Sequence, residues 1–592
     1  MTRRGALLAL VVFVAGCAAL RGGSPHQETD ATDVVVGASP SESMPAPVDA
    51  AASVGVPGVV ASEHVLASEA GAAVLRDGGT AFDAAVTVAL VLGVTNPHSS
   101  GIGGGGFAVF KVPDGPVRSV DFRETAPSFF TPTTFSEDDT RSPSRGPWST
   151  GVPGEVAGLG WLHETGGALS WSRVVEPARA IAEDGFPVGA PLAKALEIMS
   201  ESVLADPGMG AVFAPDGVVL KEGETCRRPA LARTLEYVQL HGPDGFYRGP
   251  VATSIAGFLA GQGLPWTAEE LASYRVVERE PLQGAYRDWT VFSMGPPSSG
   301  GIALLQTLGQ LERRDHHAME YGSVDWTRTL AQSLTHAFAD RATYGGDPDH
   351  VTVPVADLLA APTLDALVQR TPPAGPVGMR EAGMAGLRGD IQSVIPTDGG
   401  TSHLSVLDGL GNAVALTTTI NLWFGSGQID PGSGVVLNDE MDDFAARPGV
   451  PNQFGLVQSE NSAPGAGRRP LSSMTPTLVL DGDGRVVLAV GAAGGPRIIT
   501  GTMQTLLGVL DRGLSPTDAV RAPRVHHQWF PADVFFEDGF SAETREALAA
   551  EGFAVGGPKG AKVDVVTFDP ATGIFAGSSD TRGGGSAVVV SP

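Results

Sequence analysis

A threonine that follows two glycines and opens a strand-like run, Gly399-Gly400-Thr401-Ser402-His403-Leu404-Ser405-Val406, could act as a nucleophile of an unusual kind. If the chain is cut between Gly400 and Thr401, the new terminus carries a hydroxyl nucleophile and its own α-amine as base, one of the ways a weak alcohol is activated. Beyond a short turn at Asp408-Gly409-Leu410-Gly411-Asn412, a second apolar run, Ala413-Val414-Ala415-Leu416, ends in Thr417-Thr418-Thr419-Ile420-Asn421. Two such runs about a Gly-Asn turn read as a β-hairpin. Folding it about residue 410 sets position 401 opposite a position near 419 to 421. Thr419 and Asn421 then stand beside Thr401 at the open end. Taken alone, Gly-Gly-Thr before a strand is in most chains no more than a turn.

The elements that must position this hairpin alternate in blocks. Helical patterning runs over 66–94 with a break at Asp77-Gly78-Gly79, and over 171–184, 231–240, 301–311, 326–344, 500–511 and 542–551. Strand patterning covers 106–112, 289–294, 404–408, 413–419, 477–480, 486–490 and 562–568. This is not the strict strand-helix repetition of a doubly wound sheet, so the pattern predicts an α+β chain. Residues 371–400 are rich in Pro and Gly and read as a long exposed loop, a place where a chain can be cut.

Several chemistries are set aside. The net charge of −26 argues against nucleic acid, which needs a basic footprint. Gly101-Ile102-Gly103-Gly104-Gly105-Gly106 fits the dinucleotide pattern, but a helix precedes it and a strand follows, the reverse of what that motif requires. His316-His317 and His526-His527 lack the i, i+4 spacing of helical metal ligands, so no metal is expected. Neither Ser298-Ser299 nor Ser473 sits in a nucleophile elbow. No cofactor is implied, because acyl transfer at a threonine needs neither redox nor metal chemistry.

The N-terminus reads as an export signal. Arg3 and Arg4 precede an apolar run from Ala6 to Ala15, too short for a membrane-spanning helix. It ends Val14-Ala15-Gly16-Cys17, small residues before a cysteine, as in a bacterial lipoprotein cleavage box, with lipid on Cys17. An ordinary secretory signal with an incidental cysteine is the other reading. The lipoprotein reading places the protein in the cell envelope, held to a membrane by acyl chains. Residues 1–17 are then signal peptide, and 18–55, rich in Ser, Pro, Ala and Gly, a disordered tether. Cys226, the only other cysteine, is left without a partner.

Read in order, the motifs resemble the γ-glutamyltranspeptidase family over about residues 59–590. They include 96–107 (Asn96-Pro97-His98 through Phe107), Asp121-Phe122-Arg123-Glu124, Gly151-Val152-Pro153-Gly154-Glu155, 296–301 (Pro296 to Gly301) and Ala339-Asp340-Arg341. The second half adds Gly400-Thr401-Ser402-His403, 438–444 (Asn438 to Phe444), 470–474 (Pro470 to Met474) and Gly494-Gly495. The resemblance implies an N-terminal-nucleophile hydrolase, an α+β four-layer αββα sandwich that cuts itself before Thr401. It implies a large subunit, 56–400, and a small catalytic subunit, 401–592, held together as a heterodimer. The implied reaction is attack of Thr401 on a γ-glutamyl amide such as glutathione, followed by transfer to water, an amino acid or a dipeptide. By motif, Thr419 orients the Thr401 hydroxyl, and the amides of Gly494 and Gly495 form the oxyanion hole. Arg123, Ser472 and Ser473 meet the donor α-carboxylate. Asn421, Glu440 and Asp443 receive its α-ammonium. Each also has a plainer reading: a surface ion pair for Arg123, a helix cap for Asp443, turn formers for the serines.

One position departs from the family pattern. Relatives carry a tyrosine in a lid loop after the Asp-Asp-Phe motif that bonds the asparagine matched by Asn421; this chain has Phe454, which predicts a looser lid. Three further readings remain. Glutaryl acylases of the same family share most of these motifs. Transpeptidation of poly-γ-glutamate is opposed by the lid. A silent surface lipoprotein would keep its chain uncut.

Overall fold

The computed structural model describes residues 55–135, 141–378, 399–557 and 560–591. The signal, Cys17 and nearly all of the tether lie outside these residues, as does most of the 371–400 loop. Thirteen strands build the two main sheets. In chain order they are β1 Gly58–Ser62, β2 Gly105–Lys111, β3 Val117–Phe122, β4 Val277–Arg279, β5 Leu282–Tyr286, β6 Trp289–Ser293, β7 Gly400–Asp408, β8 Ala413–Asn421, β9 Thr477–Leu480, β10 Val486–Ala493, β11 Lys562–Asp569, β12 Ile574–Ser579 and β13 Ser586–Val590. The first sheet has the order β13-β1-β7-β8-β2-β3-β4, and the second β12-β11-β10-β9-β6-β5. The hairpin β7–β8 is thus the centre of the first sheet.

Each face of that sheet has its own core. Leu404, Val406, Val414 and Leu416 point outward into a cluster with helices α1 Val65–Arg76, α2 Ala81–Thr95, α3 Glu155–Gly166 and α4 Trp171–Asp184. Leu407, Ala413 and Ala415 point inward, against Leu488, Val490, Val563 and Val565 of the second sheet. Helices α5 Gly300–Arg313, α6 Val324–Tyr344 and α7 Arg497–Arg512 extend that inner cluster and complete the four layers. Helix α2 is apolar all round (Ala-Phe-Asp-Ala-Ala-Val) and buried throughout, as such a composition requires. Thr80 starts it with a reciprocal capping box to Asp83, and it stops at Asn96-Pro97, where the proline disfavours further helix. Among the described residues no helix is long and apolar enough to cross a membrane.

The hairpin register is Thr401 to Thr419, His403 to Thr417 and Ser405 to Ala415, with an irregularity between Thr419 and Asn421 that sets Asn421 against Gly400. Gly400 is a buried strand residue and not the end of an exposed loop. Its smallness is required by space: a Cβ there would meet the carbonyl oxygens of Leu422 at 2.6 Å and His98 at 2.8 Å. Its φ is not in the left-handed region, so steric room, not strain tolerance, explains the glycine.

On the inward face, His403 bonds Thr417 Oγ1 through Nδ1 at 2.8 Å and Ser405 Oγ through Nε2 at 2.9 Å. Burial pulls its pKa down from 6.5 to about 3. The folded state therefore disfavours the imidazolium. This contribution to stability is complete above pH 6.5 and is lost as pH falls toward 3. Near pH 5, wild type should lose about 1.4 kcal/mol per pH unit more than His403→Gln, in denaturant melts across pH. Equal slopes would count against the assignment.

Candidate active site

Nine of the ten residues to which the sequence assigns catalysis or donor binding line one small pocket at the open end of the hairpin: Thr401, Thr419, Asn421, Arg123, Glu440, Asp443, Ser472, Ser473 and Gly495. Gly494 stands beside Gly495 but off the pocket wall. The cavity is about 20 Å³, room for roughly one water. A far larger cavity, about 1530 Å³, opens at the other end of the sheets around Leu407–Asn412, away from every one of these residues.

Thr401 Oγ1 lies 3.1 Å from Thr419 Oγ1. Thr419 Oγ1 donates to the Gly400 carbonyl at 2.6 Å and accepts from the Asn421 backbone N–H at 2.9 Å. Its one proton is thereby committed to Gly400, so in the pair of hydroxyls Thr401 is the donor. The peptide carbonyl just before the nucleophile is polarised by the residue just opposite it. Asn421 has φ 75°, a left-handed conformation that asparagine tolerates better than most residues. Its side-chain amide donates to Asp439 O at 2.9 Å.

Gly494 (φ 136°) and Gly495 (φ 60°) carry the chain from β10 into α7. Among the described residues neither backbone N–H meets an acceptor. Both lie before the first turn of α7, where unpaired amides and the helix dipole favour negative charge. Pro496 follows and brings no N–H.

Arg123 is almost wholly buried and is held by both its backbone and its head. Its N–H donates to Asp121 Oδ1 at 2.9 Å, and its carbonyl accepts from Tyr274 OH at 2.8 Å. Nη2 donates to Asp443 Oδ2 at 2.6 Å, Nη1 meets Glu440 closely, and Glu124 is 3.9 Å away. The plainer reading, a surface ion pair, is excluded by this burial. Arg123, which the resemblance sets against a donor carboxylate, therefore touches directly Glu440 and Asp443, which it sets against an ammonium. Burial opposes the guanidinium charge, but Glu440, Asp443 and Glu124 together push its pKa upward. Burial raises Glu440 well above the usual carboxylate range and Glu124 to about 8. Burial thus disfavours full ionisation of the three acids, and Arg123 opposes that shift. Asp443 is also raised by burial, with Arg123 and Arg341 drawing it back.

Sequence reasoning assigned no role to several residues that hold this arrangement. Asn438 donates to Gly103 O at 2.7 Å and Gly151 O at 2.9 Å, and accepts from the N–H groups of Gly151 and Glu440. It fastens two glycine loops to the segment carrying the acids; its place at the head of the Asn438-Asp439-Glu440 run was the available signal. The lid is better tied than Phe454 alone predicts. Asn452 Nδ2 donates to Asp443 Oδ1 at 3.1 Å, Gln458 Nε2 to Asp443 O at 2.9 Å, and Gln528 Nε2 to Phe454 O at 3.0 Å. The Phe454 ring packs beside Gly399 and Gly495.

Removing a partner from a buried ion group leaves charge uncompensated. Arg123→Met should destabilise the protein by about 3–5 kcal/mol, measured by thermal melting. Adding Glu440→Gln should recover part of the loss; no recovery would argue that Arg123 acts through packing alone.

A family model described as Gamma-glutamyltranspeptidase matches residues 67–590. A glutathione hydrolase proenzyme of Escherichia coli (strain K12) is 40% identical over 503 residues, 84% of this chain and 85% of that protein. Among solved structures, cephalosporin acylase from Bacillus halodurans superposes with TM-score 0.78 at 26% identity, covering 93% of this chain and 99% of that one. Helicobacter pylori gamma-glutamyltranspeptidase superposes with TM-score 0.54 at 33% identity, covering 58% of this chain and 100% of that one. The four-layer sandwich is therefore that of the self-processing N-terminal-nucleophile hydrolases. With its sequence matched across most of its length, the chain belongs to the γ-glutamyltranspeptidase family.

Proposed function

We propose that this protein is a glutathione hydrolase and γ-glutamyltransferase that matures by cutting itself between Gly400 and Thr401. The observation that carries the reading is the Thr401–Thr419–Gly400 contact. Attack of Thr401 Oγ on the Gly400 carbonyl carbon forms an ester and breaks the Gly400–Thr401 peptide; the hydroxyl proton passes to the departing Thr401 nitrogen, which becomes a free α-amine. Thr419 stabilises the charge that develops on the carbonyl oxygen, and the proximity of the attacking group supplies a large rate advantage. Water then cleaves the ester. The large fragment then ends in the Gly400 carboxylate, and the Thr401 hydroxyl is restored beside its free α-amine.

The same atoms serve the donor. The α-amine takes the Thr401 proton as Oγ attacks the γ-carbonyl. The amides of Gly494 and Gly495 receive the oxyanion, the leaving amine takes the proton back from the Thr401 α-ammonium as it departs, and a γ-glutamyl ester remains on Thr401. Water or an amino acid or dipeptide then accepts the acyl group. A glutamyl head cannot enter about 20 Å³ without displacement. Its α-carboxylate replaces a protein carboxylate on Arg123, where a planar guanidinium suits two oxygens. Glu440 and Asp443, freed from Arg123, take the α-ammonium with Asn421. Ser472 and Ser473 stand beside the carboxylate. This exchange selects a donor with both charges.

The structural likeness to a cephalosporin acylase supports a second reading, a glutaryl donor that lacks the ammonium. The retained Asn421, Glu440 and Asp443 favour the γ-glutamyl donor. The sequence of residues 14–17 also supports attachment to a membrane through lipid on Cys17, in the cell envelope; Cys17→Ser should move the protein from the detergent phase to the aqueous phase on Triton X-114 partition.

Purified enzyme should release p-nitroaniline faster from the γ-glutamyl than from the glutaryl anilide, and Thr401→Ala should release none and remain uncut on a gel. Preference for glutaryl would select the acylase reading, and an intact, inactive wild-type chain the silent lipoprotein. Thr419→Val should slow fragment formation by about a hundredfold, the scale of removing one oxyanion donor, while Thr419→Ser should process normally. Phe454→Tyr tests the lid: an unchanged ratio of hydrolysis to transfer would leave the ring without a part in water entry.

A further inference from the structure

Two motifs, Ser298-Ser299-Gly300 and Ala339-Asp340-Arg341, take no direct part in the reaction, yet the structure joins them. Arg341, buried in the last turn of α6, donates through Nε to Ser299 Oγ at 3.0 Å. Ser299 Oγ in turn donates to the carbonyl of Ser472 at 2.7 Å, and the Ser299 N–H reaches the same oxygen at 2.9 Å. Ser298 and Ser472 form a parallel bridge, the Ser472 N–H bonds Pro297 O at 2.9 Å, and Ser298 Oγ bonds Met474 O at 2.6 Å.

We infer that Arg341 is a positioning residue for donor specificity, which, through Ser299, fixes the Ser472–Ser473 peptide against the donor's α-carboxylate. This rests on the γ-glutamyl reading above. A hydroxyl has one proton, and Ser299 spends it on Ser472 O; the guanidinium edge of Arg341 occupies its acceptor side and sets the direction of that proton. The Ser472 carbonyl, held by two donors, fixes the plane of its peptide. The next residue along that plane is Ser473, whose Oγ is buried on the pocket wall with no partner among the described residues. An unpaired buried hydroxyl is costly unless a ligand completes it, and a carboxylate can accept its proton. Arg341 also carries charge toward this end of the pocket. Its Nη1 has no partner among the described residues, and Asp443 is the acid that acts on it. That positive charge favours an arriving carboxylate.

Three p-nitroanilides separate this role from general support: γ-glutamyl, glutaryl, which keeps the carboxylate and lacks the ammonium, and 4-aminobutanoyl, which keeps the ammonium and lacks the carboxylate. Fragment formation on a gel checks that each variant folds and matures. In Ser299→Ala and Arg341→Met, KM should rise about tenfold for the first two donors, the effect of removing one hydrogen bond, with kcat within about threefold. KM for the 4-aminobutanoyl donor should not move. Arg341→Lys, which keeps the charge but not the directed Nε–H, should recover part of the effect. Equal KM changes for all three donors, or a fall in kcat alone, would overturn the inference. So would unchanged KM for the carboxylate donors. Wild-type preference for glutaryl would overturn the γ-glutamyl reading alone, and the relay would still be decided on the glutaryl donor. Should wild type turn over none of the three, the thermal shift given by L-glutamate against 4-aminobutanoate decides it: a larger glutamate shift in wild type that Ser299→Ala abolishes supports the relay, and equal shifts in both proteins overturn it.

Discussion

The register of one β-hairpin is the constraint on which the site depends. Strand side chains alternate with a period of two, so a slip of one residue in β7 would send Thr401 to the helical face and bring Ser402 to the inner one. The slip is prevented because each face has a different core. Leu404 and Val406 fill one side, Leu407 and the small Ala413 and Ala415 the other. His403, bonded to Thr417 and Ser405, marks the same register with polar contacts. The irregularity after Thr419 then ends the ladder where the chemistry begins, and turns Asn421 out of strand geometry toward the acids. Local irregularities of this kind re-aim side chains beside active sites.

The second constraint is electrostatic. Arg123, Glu440, Asp443 and Glu124 are buried together, an arrangement that contributes little or nothing to stability compared with an apolar core. On the proposed function it provides a receptor whose charged groups already have partners to exchange. A zwitterionic head can enter by exchanging partners, whereas a singly charged or apolar acyl chain would leave an acid or a guanidinium unpaired in low dielectric. Asn438 and the anchored backbone of Arg123 keep these groups from collapsing into other pairings.

The parts legible in the sequence are those fixed by near neighbours. The hairpin follows from two apolar runs and a Gly-Asn turn, and α4 from helical period alone. Strands such as β1 and β3 are hard to see in the sequence because they are short and largely covered, which weakens the alternation that marks a strand. The charge cluster is reachable only through motif resemblance: Arg123 and Asp443 lie 320 residues apart, and no local pattern links them. Asn438 and Arg341 act on distant loops, one through backbone carbonyls and the other through a serine hydroxyl, and composition does not announce either. Gly400 reads as loop because glycine and proline surround it; its burial comes from the carbonyls of Leu422 and His98, visible only once the chain is folded.

The proposed cut before Thr401 accounts for the contrast between the two cavities. A site that cuts its own chain must hold that chain's carbonyl where a donor carbonyl will later stand. Gly399 and Gly400 pass between Phe454, Gly495 and Thr419, and so occupy the space beside the nucleophile. The candidate site therefore sits in about 20 Å³, while the 1530 Å³ opening at the other end of the sheets is lined by none of its residues. Size is a poor guide here, because the first substrate of this pocket is covalently part of the protein. In the proposed mechanism the same threonine hydroxyl serves both reactions, and what changes between them is the base: only once the Gly400–Thr401 peptide is broken does Thr401 possess a free amine. Maturation on this mechanism supplies the catalytic base when the peptide becomes an ester, and clears the acyl site when water cleaves that ester.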